Sequence, residues 1–354
     1  MKPDLKKISW DVDETTYRED PALSYSTLAR FEREGFSNLD RLFDKIETPS
    51  LTFGSAIDAL ITGGKNEFDA NFIVCEFPPI SDSLLTIAKT LFNLYSSEHR
   101  TIETIPDDIL AEVGASCDFY SNDKYKNYRV KLIKENCQEY YNIMYVAQGK
   151  KVLDTETYNQ IESTVRALKE SDTTKFFFEK DNPFDDTIQR YYQLKFKSTL
   201  NDVNYRCMAD LIIVDHNNKT IQPIDLKTSG HPEWDFYHSF IQWHYDIQAR
   251  LYWRIIKDNV SRYEEWKEYK VLPYKFIVVN KNTLTPLVWN YEDTMCRGTL
   301  KYGMSENILC RDPEDIGKEL NEYLEVKHNI PINFTASSNG NSLKTWLYSP
   351  YLKK

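Results

Sequence analysis

Two acids and an ammonium, Asp210, Asp225 and Lys227, are spaced so that one short hairpin can bring them together. Asp210 lies near the start of the run 209–215, and Asp225 near the end of the run 220–227. Both runs are rich in Ile, Leu and Val, which suit a pleated, half-buried surface. The polar tetrad His216-Asn217-Asn218-Lys219 between them predicts a turn. A symmetric turn sets Asp210 across from Asp225, where directly paired Cα atoms lie roughly 4.5–5.5 Å apart. Side chains alternate along a strand, so Lys227 shares a face with Asp225. Two acids facing each other across an apolar hairpin repel unless a cation sits between them. Two carboxylates with an ammonium on one patch are the minimum equipment for Mg²⁺-dependent phosphodiester hydrolysis. An Asp-x-Lys triplet alone is ordinary surface charge; the register is what lifts it above that reading.

The elements that must hold these residues follow from hydrophobic patterning. Ser24 is a candidate N-cap for a helix whose apolar stripe includes Leu28 and Phe31 and which also carries Arg30. Residues 51–61 read as a second, buried helix ended by Gly63-Gly64. Its Gly54, Ser55 and Ala56 permit close approach of another backbone, and it carries a conspicuous Asp58. Residues 81–180 read as mostly helical. Within them, 124–134 alternates cations with tyrosines, a pattern that suits a nucleic-acid strand but fits a solvated helix face better. Alternation begins after Thr187, with a strand over 188–197 and then the hairpin. One long amphipathic helix is predicted over 236–257, with Gln248 and Tyr252 on one face at i and i+4. A second hairpin joins 274–280 to 284–289, and an acidic helix spans about 314–326. This order predicts an α/β sandwich around a mixed central sheet.

Composition narrows the class. The 354 residues can bury a sizeable core, and 41% hydrophobic with 14% aromatic content is globular. No apolar run approaches the roughly 20 residues of a membrane span, and the charged start lacks the apolar core of a signal peptide. A cytoplasmic protein with no membrane partner is expected. Cys75, Cys117, Cys137, Cys207, Cys296 and Cys310 include no Cys-x-x-Cys pair, so neither a zinc site nor an iron–sulfur cluster is expected. A net charge of −10 argues against a coating protein for nucleic acid and requires that any DNA contact be a local basic strip.

These motifs together resemble the PD-(D/E)XK nuclease superfamily, in its RecB/RecE-like branch of phage-type exonucleases (exodeoxyribonuclease VIII-like). The resemblance runs from about Ser24 to Tyr302. It is carried by Ser24-Tyr25-Ser26-Thr27-Leu28, by Gly54-Ser55-Ala56-Ile57-Asp58, by Asp210 and by Asp225-Leu226-Lys227-Thr228. Gln248-Ala249-Arg250-Leu251-Tyr252 completes it, and the segment 149–154 before an amphipathic helix is similar as well. It implies a restriction-endonuclease-like mixed sheet flanked by helices over residues 21–335, with a largely helical insertion at about 81–180. By composition, the polar and acid-rich residues 1–20 read as a loosely held N-terminal arm, and the Ser/Asn/Gly-rich end over 336–354 as a tail. The resemblance further implies Asp210, Asp225 and Lys227 as catalytic residues, and Asp58, Asp210, Asp225 and the Leu226 carbonyl as ligands of Mg²⁺ or Mn²⁺. Gln248, Tyr252, Thr228 and Arg30 would contact DNA. Asp58 stands where the family carries His, and Gln189 stands near the place of a further acid on the first catalytic strand. The activity implied is 5′→3′ exonuclease action on the ends of linear duplex DNA, in recombination or repair, with an annealing protein and a homo-oligomer as partners. An endonuclease or single-strand nuclease on the same core, and an inactive descendant that binds DNA or protein, are the alternatives.

Overall fold

The computed structural model describes residues 2–44, 46–76, 80–98, 100–147, 149–292, 299–302, 306–309 and 311–329. The chain divides into two compact units, one of Met1–Ser50 with Arg166–Lys354 and one of Leu51–Val165. The first fifty residues carry α1 (Glu14–Glu19) and α2 (Tyr25–Glu34) and reach the start of α3 (Pro49–Thr62). Next come α4 (Gly64–Asn71), β1 (Phe72–Val74), α5 (Asp82–Tyr95), α6 (Asp107–Ser116), α7 (Lys126–Ala147), β2 (Lys151–Leu153) and α8 (Thr155–Glu170). The rest holds β3 (Ile188–Leu200), β4 (Val203–Asp215), β5 (Thr220–Thr228), α9 (Phe236–Gln242) and α10 (Tyr245–Ser261). It continues with β6 (Lys270–Val271), β7 (Lys275–Val279), β8 (Leu287–Asn290), β9 (Thr299–Tyr302), β10 (Glu306–Leu309) and α11 (Pro313–Asn329). Cys296, Cys310 and the tail over 336–354 lie outside the described residues.

The larger unit is an α/β fold on a mixed sheet of order β3-β4-β5-β7-β8, with β6 pairing the start of β5. β3, β4 and β5 are antiparallel in turn, β5 and β7 parallel, β7 and β8 antiparallel. The parallel step needs a long crossover, which α9 and α10 supply. The central turn forms as the sequence predicts. Asp215 accepts from the backbone N–H groups of Asn217 and Asn218, both at 2.9 Å, and Lys219 takes a positive φ of 51°. Register follows from that turn, with Leu211 across from Ile224 and Ile213 across from Gln222.

Helices α2, α10 and α11 pack together, and α10 and α11 also lie on the sheet. α10 buries Ile247, Leu251, Ile255 and Ile256 almost completely, each contributing about 1.5–3 kcal/mol by leaving water. α11 meets β4 at Gly317, where a Cβ would fall 1.9 Å from the Tyr205 hydroxyl, so only glycine fits. Ser24 does hold the N-cap position of α2, but its hydroxyl bonds those of Ser26 and Thr27 rather than a backbone N–H. Leu23 bridges Tyr205, and this ties the start of α2 to the outer half of β4.

Three features differ from the sequence expectations. The long helix over 236–257 is broken: α9 closes when Trp243 N–H bonds the Ser239 carbonyl, and His244 turns the chain at φ 54°. The N-terminal arm is held down, because Leu5, Ile8 and Tyr17 are buried and Trp10 N–H donates to the Lys195 carbonyl. Strands β3 and β4 also carry an offset. Tyr191 with Ile212, and Leu194 with Ala209, are paired residues of one core cluster, so the two-residue alternation slips between them. At the slip stand Gln193, with φ 53°, and Asp210.

The smaller unit is mainly helical. Its core gathers Leu84, Ile87, Leu91, Leu110, Ile133 and Tyr141, from α5, α6 and α7, and β1 pairs β2 in parallel. The cations of 124–134 are a solvated face here. Lys126 pairs with Asp108, Lys131 with Glu135 and Lys134 with Asp107, while Arg129 is buried and bonds the Tyr120 carbonyl.

Candidate active site

The site forms where β4 and β5 diverge from their ladder. The paired stretch ends at Leu211 and Ile224, and beyond it Asp210 turns its carboxylate to the other strand's backbone. Asp210 Oδ2 accepts from Leu226 N–H at 2.9 Å. Meanwhile β5 pairs with β7, which puts Asp225 across from Phe276 and Lys227 across from Val278. Asp225 is 2% exposed, an extreme burial for a carboxylate, and it is compensated by two donors. Lys227 Nζ lies 2.5 Å from Asp225 Oδ2, and Gln248 Nε2 of α10 donates to Oδ1. Asp225 Oδ2 has no hydrogen bond of regular geometry and relies on the Lys227 ammonium.

Lys227 stands in an aromatic box. Its Nζ is 4.5 Å from the centre of the Tyr245 ring and 6.0 Å from that of Tyr25. Tyr25 is fixed in turn, since its hydroxyl donates to the Trp243 carbonyl at 2.7 Å. Burial alone would push the Lys227 pKa down; the Asp225 carboxylate, then Tyr245 and Asp210, outweigh it and raise the pKa above the ordinary lysine value. As the group stands, Lys227 is an ammonium: a donor of charge and hydrogen bonds rather than a base.

The structure brings Asp210, Asp225, Leu226, Lys227 and Gln248 together. Each remaining candidate has its place within its own unit. Gln248, expected to contact DNA, is 4% exposed and committed to Asp225, so it positions a carboxylate. Tyr252 is buried against the edges of Tyr25 and Tyr274 and serves packing. Arg30 is turned inward, to Glu34 and the carbonyls of Leu42 and Asp44, which leaves it poorly placed to reach a strand. Thr228 ends β5, half-buried, across from Val279. Asp58 is half-buried on α3 in the other unit. Gln189 is remote from the acids along β3, where its Oε1 takes hydrogen bonds from His216 Nε2 and the Tyr191 hydroxyl. Gln193 stands at the interruption of β3 between the Tyr192–Leu211 and Leu194–Ala209 pairs, the position at which Asp210 falls on β4.

Tyr25 and Tyr245 are functional neighbours that the sequence reading missed. The available signal was weak: Tyr245 precedes Gln248 by three residues, one helical turn, and so belongs near its face.

The donor set suits a hard cation, being all oxygen: two carboxylates held from behind, the Leu226 carbonyl, and Gln248 Oε1, which is buried with no hydrogen-bond partner. Among the described residues, no group of three or more His, Cys, Asp or Glu is gathered closely enough to hold a metal ion. Cys75, Cys117, Cys137 and Cys207 are free thiols, and burial pushes Cys137 up to about 12. Among the described residues no helix is long and apolar enough to cross a membrane.

No protein-family model matches the chain, and no curated protein matches it. Among solved structures, the chain is similar to a candidate exonuclease from Eubacterium rectale. The two are 13% identical with a TM-score of 0.44, over 90% of this chain and 88% of that one. So distant a likeness carries no function with it, and the chemistry must be read from the side chains themselves.

Proposed function

We propose that this protein is a metal-dependent deoxyribonuclease of PD-(D/E)XK type, hydrolysing phosphodiester bonds at Asp210, Asp225 and Lys227. The observation that carries the reading is the buried Asp225 carboxylate, held between Lys227 and Gln248 while Asp210 is anchored on the intervening Leu226 N–H. A structural ion pair would not need the second acid, whose like charge raises the cost of the patch. Asp210, Asp225 and the Leu226 carbonyl would hold Mg²⁺ or Mn²⁺, which would supply an activated water and offset charge building on the phosphate. Lys227, kept positive and walled by Tyr25 and Tyr245, orients that water and stabilises the developing negative charge. Gln248 prevents Asp225 from rotating.

Within this reading, the resemblance favours exonuclease action from 5′ ends of linear duplex. A ring-like homo-oligomer and an annealing partner would follow from the same likeness. An endonuclease on the same core is the second reading. The test is digestion of end-labelled linear duplex with Mg²⁺, beside a sealed circle of the same sequence. Loss of the linear substrate alone is expected; cutting of the circle selects the endonuclease. Lys227→Ala should abolish turnover while leaving DNA binding in place. If that variant still cuts, or the unaltered protein cuts neither substrate, the assignment fails.

A further inference from the structure

Arg33 sits on the exposed face of α2, three residues beyond Arg30, and behaves in the opposite way. Arg30 is spent on Glu34 and two backbone carbonyls. Arg33 is exposed, and among the described residues no acid or carbonyl bonds it. Its guanidinium carbon lies 5.0 Å from the centre of the Trp243 ring. The other arginines that cluster near the helices of this unit are taken: Arg250 by Asp246, Arg254 by Asp312 and Glu314, Arg311 by Glu32 and Glu319. Arg206 and Arg129 are buried and spent on backbone carbonyls, whereas Arg33 is exposed.

Trp243 is itself 42% exposed, although indole is among the side chains that gain most from burial. It lies in the break between α9 and α10, and its carbonyl is the acceptor that fixes Tyr25 beside Lys227. The next residue but one is Tyr245, whose ring faces Lys227. Arg33, Trp243, Tyr25 and Lys227 thus form one continuous line of contacts from the surface to the site. Electrostatics agree: burial raises the Tyr25 and Tyr245 phenols, and Arg33 is among the charges that pull both back. A guanidinium laid over an indole keeps its N–H edge open, in a plane that matches a phosphate.

We propose that Arg33, braced by Trp243, is a phosphate contact for the DNA strand delivered to the Asp210–Asp225–Lys227 site. The inference rests on the nuclease reading. The strand's backbone is the ligand, because the line of contacts ends at a site for phosphodiesters. A phosphate contact here would be a local positive charge in a chain that is acidic overall.

The test uses the full chain carrying Lys227→Ala, so that a fluorescein-labelled linear duplex survives in Mg²⁺ while its affinity is titrated across salt. Adding Arg33→Ala should weaken binding about tenfold at low salt. It should also lessen the slope of log K against log salt by about 0.7–0.9, the signature of one lost phosphate contact. Arg33→Lys should keep the slope but recover only part of the affinity, since an ammonium cannot lie flat on the indole. Trp243→Ala should weaken binding and leave the slope alone. Unchanged affinity and slope in Arg33→Ala, with the parent binding DNA, would overturn the proposal while the nuclease reading stands. So would an equal loss toward poly-glutamate, which would mark a general anion site. Absence of cleavage by the unaltered protein would instead remove the nuclease reading and this inference with it.

Discussion

Asp58 is one of two positions, with Gln189, where the sequence departs from the motifs it resembles, and a ligand role for it can be separated from a structural one by metal dependence. If Asp58 is a ligand, Asp58→Asn should keep the fold but raise the Mg²⁺ concentration needed for activity, because a neutral oxygen replaces an anionic one. Asp58→His should stay active and shift preference toward Mn²⁺, since imidazole suits transition metals better. Superimposable Mg²⁺ and Mn²⁺ titrations for all three proteins would remove Asp58 from the metal shell. At this scale the sequence was legible where chemistry and spacing coincide, as at Asp210, Asp225 and Lys227. It was illegible where direction decides. Arg30 and Arg33 lie one turn apart on the same helix, and only the packing of the loop carrying Leu42 and Asp44 shows which is spent internally. Gln193 is harder still, since nothing in a glutamine announces a left-handed backbone within a strand.

Among the elements, the loop after β5 is held by a buried acid with no part in the chemistry. Glu233 is fully buried and accepts from the backbone N–H groups of Asn280 and Thr285 and from the hydroxyls of Thr283 and Thr285. Burial alone would raise its pKa, but these donors together depress it below the ordinary value of 4.5. A depressed carboxylate stabilises the fold above its unfolded pKa and loses that contribution as pH falls through its folded pKa. Melting temperature followed downward from neutral should therefore drop below about pH 4.5, and Glu233→Ala should flatten that part of the acid limb. At neutral pH the same variant should cost about 3 kcal/mol in denaturant unfolding, because it strands buried donors. The hairpin of β4 and β5 was readable because a polar tetrad separates two β-branched runs. The break between α9 and α10 was not, because 236–257 keeps its helical period through residues 243 and 244.

At the scale of the molecule, the two units own separate cores. Ile133 is fully buried in the helical one, and Ile133→Ala should cost that unit about 3 kcal/mol. Calorimetry should then show its transition move down while amide protection in β4 and β5 is unchanged; a single transition that shifts as a whole would mean the units melt together. Acidic composition argues against a general nucleic-acid coat, but composition cannot say where a local cation such as Arg33 lies.

The slip in alternation at Gln193 and Asp210 has a mechanical consequence. It divides the β3–β4 ribbon into two arms. The inner arm, 211–215, is clamped by β5, and the outer arm is clamped by Leu23. The fulcrum is Asp210 itself. Because Leu23, just before α2, bridges the outer arm, strain on α2 is expected to reach β4 on the outer side of Asp210 rather than at the central turn, so that amide exchange should change at 203–209 before it changes at 211–215.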